Sequence, residues 1–224
     1  DGAGNNNTTS NTYNWTHDDT GPTMTLTASA VADGGNHNAA VTMIFTSSEA
    51  TSNFVAGDIT ATNASVSNFT PITGGRAYTA TITPSSSAPS VVVGSNKFTD
   101  GAGNNNTTSN TYNWTHDTTP PTGNSISING GASYTNSTSV TLTLASTGAS
   151  QMRFKNESSG TYTSYEAYAT SKSWTLANSE GTNTVYVQFK DVVGNVASAV
   201  SDTIDFDTTS PTMTLTASAV ADGG

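Results

Sequence analysis

The chain has no cysteine. That removes disulfides, thiolate catalysis and cysteine-based zinc sites together. It has little positive charge: six Lys and Arg stand against sixteen Asp and Glu, for a net charge of −10. A nucleic-acid partner needs Lys and Arg to displace the counterions of its phosphates. Anionic membrane surfaces are disfavoured by the same deficit. No apolar run approaches the roughly 20 residues needed to span a bilayer, so membrane insertion is not expected in this segment. Sustained 3.6-residue apolar periodicity is missing as well, which argues against helix.

What fills the sequence is polar. Ser and Thr make up about a third of the 224 residues, and charged residues only 10%. Such polarity can signal disorder, but short β-branched and apolar runs recur throughout, and disordered tracts lack those. Little lysine, abundant Thr, Ser and Asn, and no cysteine together suggest an extracellular setting. An acidic surface suits solubility or cations, Ca²⁺ foremost. No signal peptide is visible and residue 1 is Asp, so the expectation is a mature or internal piece.

Repetition organises the chain. The block DGAGNNNTTSNTYNWTHD occupies residues 1–18 and returns unchanged at 100–117. PTMTLTASAVADGG fills 22–35 and returns at 211–224. Self-similarity of this kind is the signature of a tandem array. The expected organisation is therefore the closing strand or strands of a preceding repeat at 1–21, domain A at 22–120, domain B at 121–210, and the first strand of a following A repeat at 211–224. The junctions HDDTGPT, HDTTPPT and FDTTSPT share Asp, Thr and Pro. Proline fixes φ and holds its predecessor extended, which predicts short, stiff links.

Alternation with period 2 runs through both units. In A it aligns Val41, Met43 and Phe45, then Tyr78, Ala80 and Ile82, then Tyr112 and Trp114. In B it aligns Val140, Leu142 and Leu144, Met152 and Phe154, and Val185, Val187 and Phe189. About seven short strands per 90–100 residues, with turns between them, predict an all-β chain of tandem Ig-like β-sandwich domains arranged end to end. Trp114 and Trp174 sit inside alternating strands, which favours burial over ligand binding.

Through FTSSEA at 45–50, GDITATNA at 57–64, YTATITP at 78–84 and FTDGAGNNNT at 98–107, unit A resembles the bacterial Ig-like (Big) repeats of large surface proteins. Unit B resembles Ig-like or fibronectin-like modules through WTL at 174–176, VYVQFKDVVGN at 185–195 and DTIDFDTTSP at 202–211. These resemblances imply an extracellular, stalk-like or adhesive role without catalysis.

Two constellations could carry chemistry. D-x-x-G-N occurs at Asp1, Asp100 and Asp191. One reading is a tight turn, with Gly-Asn supplying positive φ and the carboxylate accepting turn amides. The other is a hard-cation site, since Ca²⁺ takes six to eight oxygens from carboxylates, Asn side chains and carbonyls. The candidate ligands are Asp100, Asn104, Asp117, Asp191, Asn195, Asp205 and Asp207, with Asp18 and Asp19 also near a junction and Asp33 and Asp222, in ADGG, able to contribute from a neighbouring module. The resemblance adds that related arrays hold Ca²⁺ at such poles.

The second constellation is TYTSYEAYATSKSW at 161–174, where Tyr162, Tyr165 and Tyr168 could stack on a sugar or cover unit B's own sheet. Enzymatic function has little support. The histidines are His17, His37 and His116, no paired acid and base is apparent, and Glu49, Glu157, Glu166 and Glu180 are scattered.

The function expected is an extracellular structural repeat: a fibre, stalk or surface-layer component. Its partners would be neighbouring repeats of the same chain or copies of itself in a filament, assembled by strand exchange or simply covalently linked. The alternative is an adhesin module gripping glycan or protein through B.

Overall fold

The structure is a computed structural model of all 224 residues, and residues 1–177 and 180–216 are described here. It is all-β. Among the described residues the one departure from strand and loop is a 3-10 turn at Ala56–Asp58. The chain divides into two compact units, residues 1–117 and 118–224. The division falls between Asp117 and Thr118, three residues before the expected junction.

Unit 1 contains β1 (Met24–Ala28), β2 (Asn36–His37), β3 (Val41–Ser47), β4 (Ile59–Thr62), β5 (Ala64–Thr73), β6 (Ala77–Pro84), β7 (Ser90–Val93), β8 (Tyr112–Asn113) and β9 (Thr115–His116). One sheet has the order β1-β3-β6-β5 and another β4-β7-β8, while β2 and β9 form a short parallel pair. Phe45 lies opposite Leu26 on one side and Tyr78 on the other. The alternation works as expected: Val41, Met43 and Phe45 are fully buried while Thr42, Ile44 and Thr46 face outward. Ile59, Val91, Val93 and Tyr112 of the second sheet join the same cluster, so two β faces close one core, the sandwich arrangement.

Phe54 sits at the centre of this core, 3% exposed. Its ring lies 5.9 Å from Phe45, 5.5 Å from Phe69, 5.0 Å from Tyr78 and 5.1 Å from Phe98. The loop that delivers it is tied down by the Tyr78 hydroxyl, which donates to the Thr51 carbonyl at 2.9 Å. Gly75 makes that approach possible. Its φ is +69°, and a Cβ there would lie 2.5 Å from the Thr51 oxygen.

Residues 109–116 run antiparallel beside 93–87. Ser109 N–H donates to Val93 O, Trp114 N–H to Pro89 O and His116 N–H to Ser87 O, and Tyr112 faces Val91. Tyr112 and Trp114 are 5% and 3% exposed. Their copies in the opening block, Tyr13 and Trp15, are 88% and 72% exposed. Sequence is identical; only the presence of a receiving groove differs.

Unit 2 contains β10 (Thr122–Ile128), β11 (Tyr134–Thr135), β12 (Ser139–Thr147), β13 (Gln151–Asn156), β14 (Glu166–Ala167), β15 (Ser171–Thr175), β16 (Gly181–Lys190) and β17 (Val200–Phe206). Its sheets have the orders β10-β12-β15 and β11-β17-β16-β13-β14. Ile128, Leu142, Leu144, Phe154, Val187, Phe189 and Ile204 form its core. Each unit thus closes its own hydrophobic interior. Trp174 is half-buried rather than central: its ring lies 5.4 Å from Phe154 and its Nε1–H donates to Asn156 Oδ1 at 2.6 Å. Residues 211–216 have no strand partner, with Met213 and Leu215 exposed. The rest of the second PTMTLTASAVADGG copy, Asp222 included, lies outside the described residues.

Candidate functional site: an acidic cluster and a cation-aromatic ladder

The three D-x-x-G-N stretches fold alike. Asp100 Oδ1 accepts the N–H groups of Ala102 at 2.8 Å and Asn104 at 2.9 Å, and Oδ2 accepts Asn104 Nδ2 at 3.0 Å. Asp191 takes Val193, Gly194 and Asn195 N–H at 3.0, 2.7 and 2.8 Å, plus Asn195 Nδ2 at 2.9 Å. Asp1 repeats the pattern with Ala3 and Asn5. Gly103 and Gly194 supply φ of +96° and +101°. The turn reading of the motif is therefore realised at all three positions.

Burial works to raise the Asp100 carboxyl pKa. The hydrogen bonds from Asn104, Ala102 and Gly103 together outweigh it and hold the group below its ordinary value.

At one of these turns, further acids gather. Carboxylate oxygens of Asp18, Glu49 and Asp100 all lie within 4.8 Å of one another. Glu49 follows β3, where Ser48 N–H donates to Thr23 O at 2.9 Å and Arg76 Nη1 donates to Ser48 O at 2.6 Å. Asp18 is brought in by the segment leading to β1: Asn104 Nδ2 donates to the Asp18 carbonyl at 3.0 Å, and Thr107 N–H to Pro22 O at 3.1 Å. The donor set is all oxygen and all hard, the chemistry Ca²⁺ prefers. An ionised carboxylate has about four acceptor positions, and the turn takes three of Asp100's, so its share of a coordination shell is small. The residues fit a partial shell completed by water.

The other proposed ligands are not drawn into such a group. Among the described residues, Asp18, Glu49 and Asp100 form the one cluster of three or more His, Asp or Glu donors at this spacing. Asp191 and Asn195 serve their own turn. Asp205 Oδ1 accepts the Thr182 hydroxyl at 2.5 Å, and Asp207 Oδ1 the Thr209 N–H at 2.8 Å. Asp117 N–H donates to His37 O at 3.1 Å. Asp33 accepts the Asn113 N–H at 2.8 Å. Glu49 is the member of this cluster that sequence reasoning passed over; its signal was its place in FTSSEA, one of the stretches carrying the family resemblance.

In unit 2 the three tyrosines engage the unit itself. β13 turns Met152 and Phe154 inward and Gln151, Arg153 and Lys155 outward. β16 turns Tyr186, Gln188 and Lys190 outward beside them, in the register Lys155–Tyr186, Arg153–Gln188 and Gln151–Lys190. The segment after β13 folds over this face. Lys155 Nζ lies 5.0 Å from the ring centres of both Tyr186 and Tyr162. Arg153 Cζ lies 4.5 Å from Tyr162 and 4.7 Å from Tyr165. Lys190 Nζ lies 4.0 Å from Tyr165. The result is an alternating ladder: Tyr186, Lys155, Tyr162, Arg153, Tyr165, Lys190. Arg153 also donates from Nε and Nη2 to Gln188 Oε1 at 2.9 and 2.5 Å. Tyr168 leaves the ladder. Its ring meets Phe189 edge-on at 5.9 Å and its hydroxyl accepts the Ser146 N–H at 3.1 Å.

No helix among the described residues is long and apolar enough to cross a membrane. No curated protein matches the chain. Fibronectin(III)-like modules of Clostridium thermocellum CbhA align at 17% identity over 81% of this chain and 93% of theirs, with a TM-score of 0.42. The Yersinia pseudotuberculosis adhesin InvE aligns at 16% identity over 83% and 58%, TM-score 0.31. The FN1-FN3 domains of chicken CNTN1 align at 11% identity over 80% and 67%, TM-score 0.33. The family resemblance seen in the first unit has a counterpart in the comparison of sequences: residues 18–115 fit the model of a bacterial Ig-like domain.

Proposed function

We propose that this chain is a load-spanning segment of an extracellular fibre, stalk or surface-layer component, in which each β-sandwich contributes length and neither contributes catalysis. The observation that carries the reading is the closure of a separate core in each unit, combined with exact recurrence of the opening and closing strand sequences. Units that need no neighbour to bury their apolar surface can be added in number, with mostly nearest-neighbour contacts between them. Small-angle scattering tests it. A single globule of this length has a radius of gyration of about 17 Å. The proposal expects a clearly larger value and a rod-like distance distribution, and a globular distribution would defeat it.

Calcium belongs to the same proposal. Asp18, Glu49 and Asp100 would hold the ion, with the Asp18 and Asp100 segments then fixed to each other. The ion would supply charge neutralisation and a cross-link.

A second reading, a binding module, is favoured by a different observation. The outer face of β13 and β16 displays three cations and three tyrosines on an otherwise acidic chain.

A further inference from the structure

Three of the chain's six basic residues, Arg153, Lys155 and Lys190, share one sheet face. None of them makes an ion pair among the described residues, where the single pair is Lys172 with Glu166 at 2.7 Å. The acids nearby are occupied. Glu157 accepts the Thr184 N–H at 2.9 Å, Asp191 is spent on its turn, and Glu166 holds Lys172. Sixteen acids are available in the sequence, yet among the described residues none of them pairs with these three cations. Ring stacking orients the cations without neutralising them.

The geometry points to a ligand class. We propose that the outer face of β13 and β16 binds an acidic polysaccharide, its carboxylates meeting Lys155, Arg153 and Lys190 in turn. This rests on the binding-module reading, not on the spacer reading. Residues two apart on a strand are separated by about 6.6 Å, which sets Arg153 and Lys155 in a row that can meet successive charges of a polymer, while the chain's net charge of −10 disfavours a nucleic acid as that polymer. Between the cations stand groups suited to sugar hydroxyls: the amides of Gln151 and Gln188 and the phenol oxygens of Tyr162 and Tyr186. Beside Lys190 a recess of about 440 Å³, lined by Ser150, Gln151 and the turn Asp191 to Gly194, offers room for a ring. The tyrosine rings of this face are already stacked on cations, so they do not stand open as the aromatic anchors that dominate protein interfaces; the exposed apolar side chain at the recess is the small Val192.

The test is calorimetric titration of the 224-residue chain with polygalacturonate, with dextran as the neutral glycan and polyglutamate as the acidic peptide. Binding to polygalacturonate alone is expected, weakening about tenfold or more as salt rises from roughly 50 to 300 mM. The double variant Lys155→Gln/Lys190→Gln should bind at least about tenfold more weakly, and Lys155→Arg/Lys190→Arg should retain binding. Lys97→Gln removes a charge from an exposed position in unit 1 and should change nothing. Near-UV circular dichroism confirms that each variant is folded, and the Arg pair keeps the test valid if the Gln pair is not. Equal binding of dextran would leave a binding module but overturn the charge-based assignment. Preference for polyglutamate would move the partner to an acidic protein and overturn it too. No binding to either glycan would remove the binding-module reading with it, and a loss in Lys97→Gln equal to that of the double variant would show net charge, not this face, at work.

Discussion

Asn110 completes the free edge of β1 by taking both backbone groups of Leu26. Its Oδ1 accepts the Leu26 N–H at 2.8 Å and its Nδ2 donates to the Leu26 carbonyl at 3.1 Å. One side-chain amide does here what a neighbouring strand would do. Asn110→Ala should destabilise unit 1 by about 1–3 kcal/mol, the cost of a partly buried donor and acceptor left unmade. Asn110→Asp should not restore it, because a carboxylate cannot donate to the carbonyl. Urea unfolding checks both, and light scattering should detect extra self-association through the opened edge.

Trp15 and Trp114 give a controlled comparison of one sequence in two environments. Trp114→Ala should cost about 3–5 kcal/mol, the usual range for a large aromatic removed from a core. Trp15→Ala, at a site 72% exposed, should fall within about 0.5 kcal/mol of the parent. Similar values for the two would contradict the burial assigned to residues 109–116.

Chelation should lower the melting temperature of the parent chain if Asp18, Glu49 and Asp100 hold a cation, since a ligand bound to the native state stabilises it by mass action. Glu49→Gln should abolish the difference between calcium and EDTA, whereas Asp207→Asn, at an acid spent on its own turn, should preserve it. Identical melting with and without calcium would remove the ion from the proposal.

The Asp100 carboxyl has its pKa lowered in the folded state, burial working upward and the turn hydrogen bonds prevailing. Its contribution is therefore present above the unfolded aspartate value of about 3.9 and is lost as pH falls through the lower folded value. Acid titration of unfolding should show this loss below about pH 4, and Asp100→Asn should flatten that part of the curve.

Arg153 holds the middle of the ladder. Arg153→Met should free the segment over the β13–β16 face, at about 0.5–1 kcal/mol for each exposed cation–π interaction removed. Hydrogen exchange at Thr161 to Tyr165 should accelerate while Val187 and Phe189, fully buried, stay protected.

Much of this fold is legible in the residues, because inward and outward positions alternate cleanly wherever a strand is straight. β3, β6, β12 and β16 are of this kind. β5 is not. It half-buries Ala64 and Val66 and then Phe69, and its register shifts between Ser67 and Thr70 and again after Pro71. A bulge changes the phase of the pattern, so a period-2 reading sees two fragments and neither is convincing. Phe54 escaped for another reason. It belongs to a loop, held in place by long-range hydrogen bonds of Thr51 with Tyr78 and Gly75 and of Asn53 with Thr99, which no local pattern reveals. The acidic cluster was half visible: Asp18 stands at a junction and Asp100 opens a D-x-x-G-N turn in sequence, but Glu49 reaches them through sheet pairing. The ladder was invisible as an arrangement because it joins two strands with the loop after β13, although the tyrosines themselves were conspicuous.

The block at 1–17 duplicates the strand that seals unit 1, and chemistry alone cannot tell a folding chain which copy to use. Tether length can. In its own groove, His17 would have to occupy the place of His116, at the far end of an extended run of 109–116, about 23 Å long. Pro22 is held near the start of that run by Thr107, and the five residues from His17 to Pro22 reach at most about 18 Å. The link from His17 to Pro22 is therefore too short for the copy at 1–17 to replace residues 100–116 in this sandwich, and lengthening it with Gly and Ser should permit the exchange.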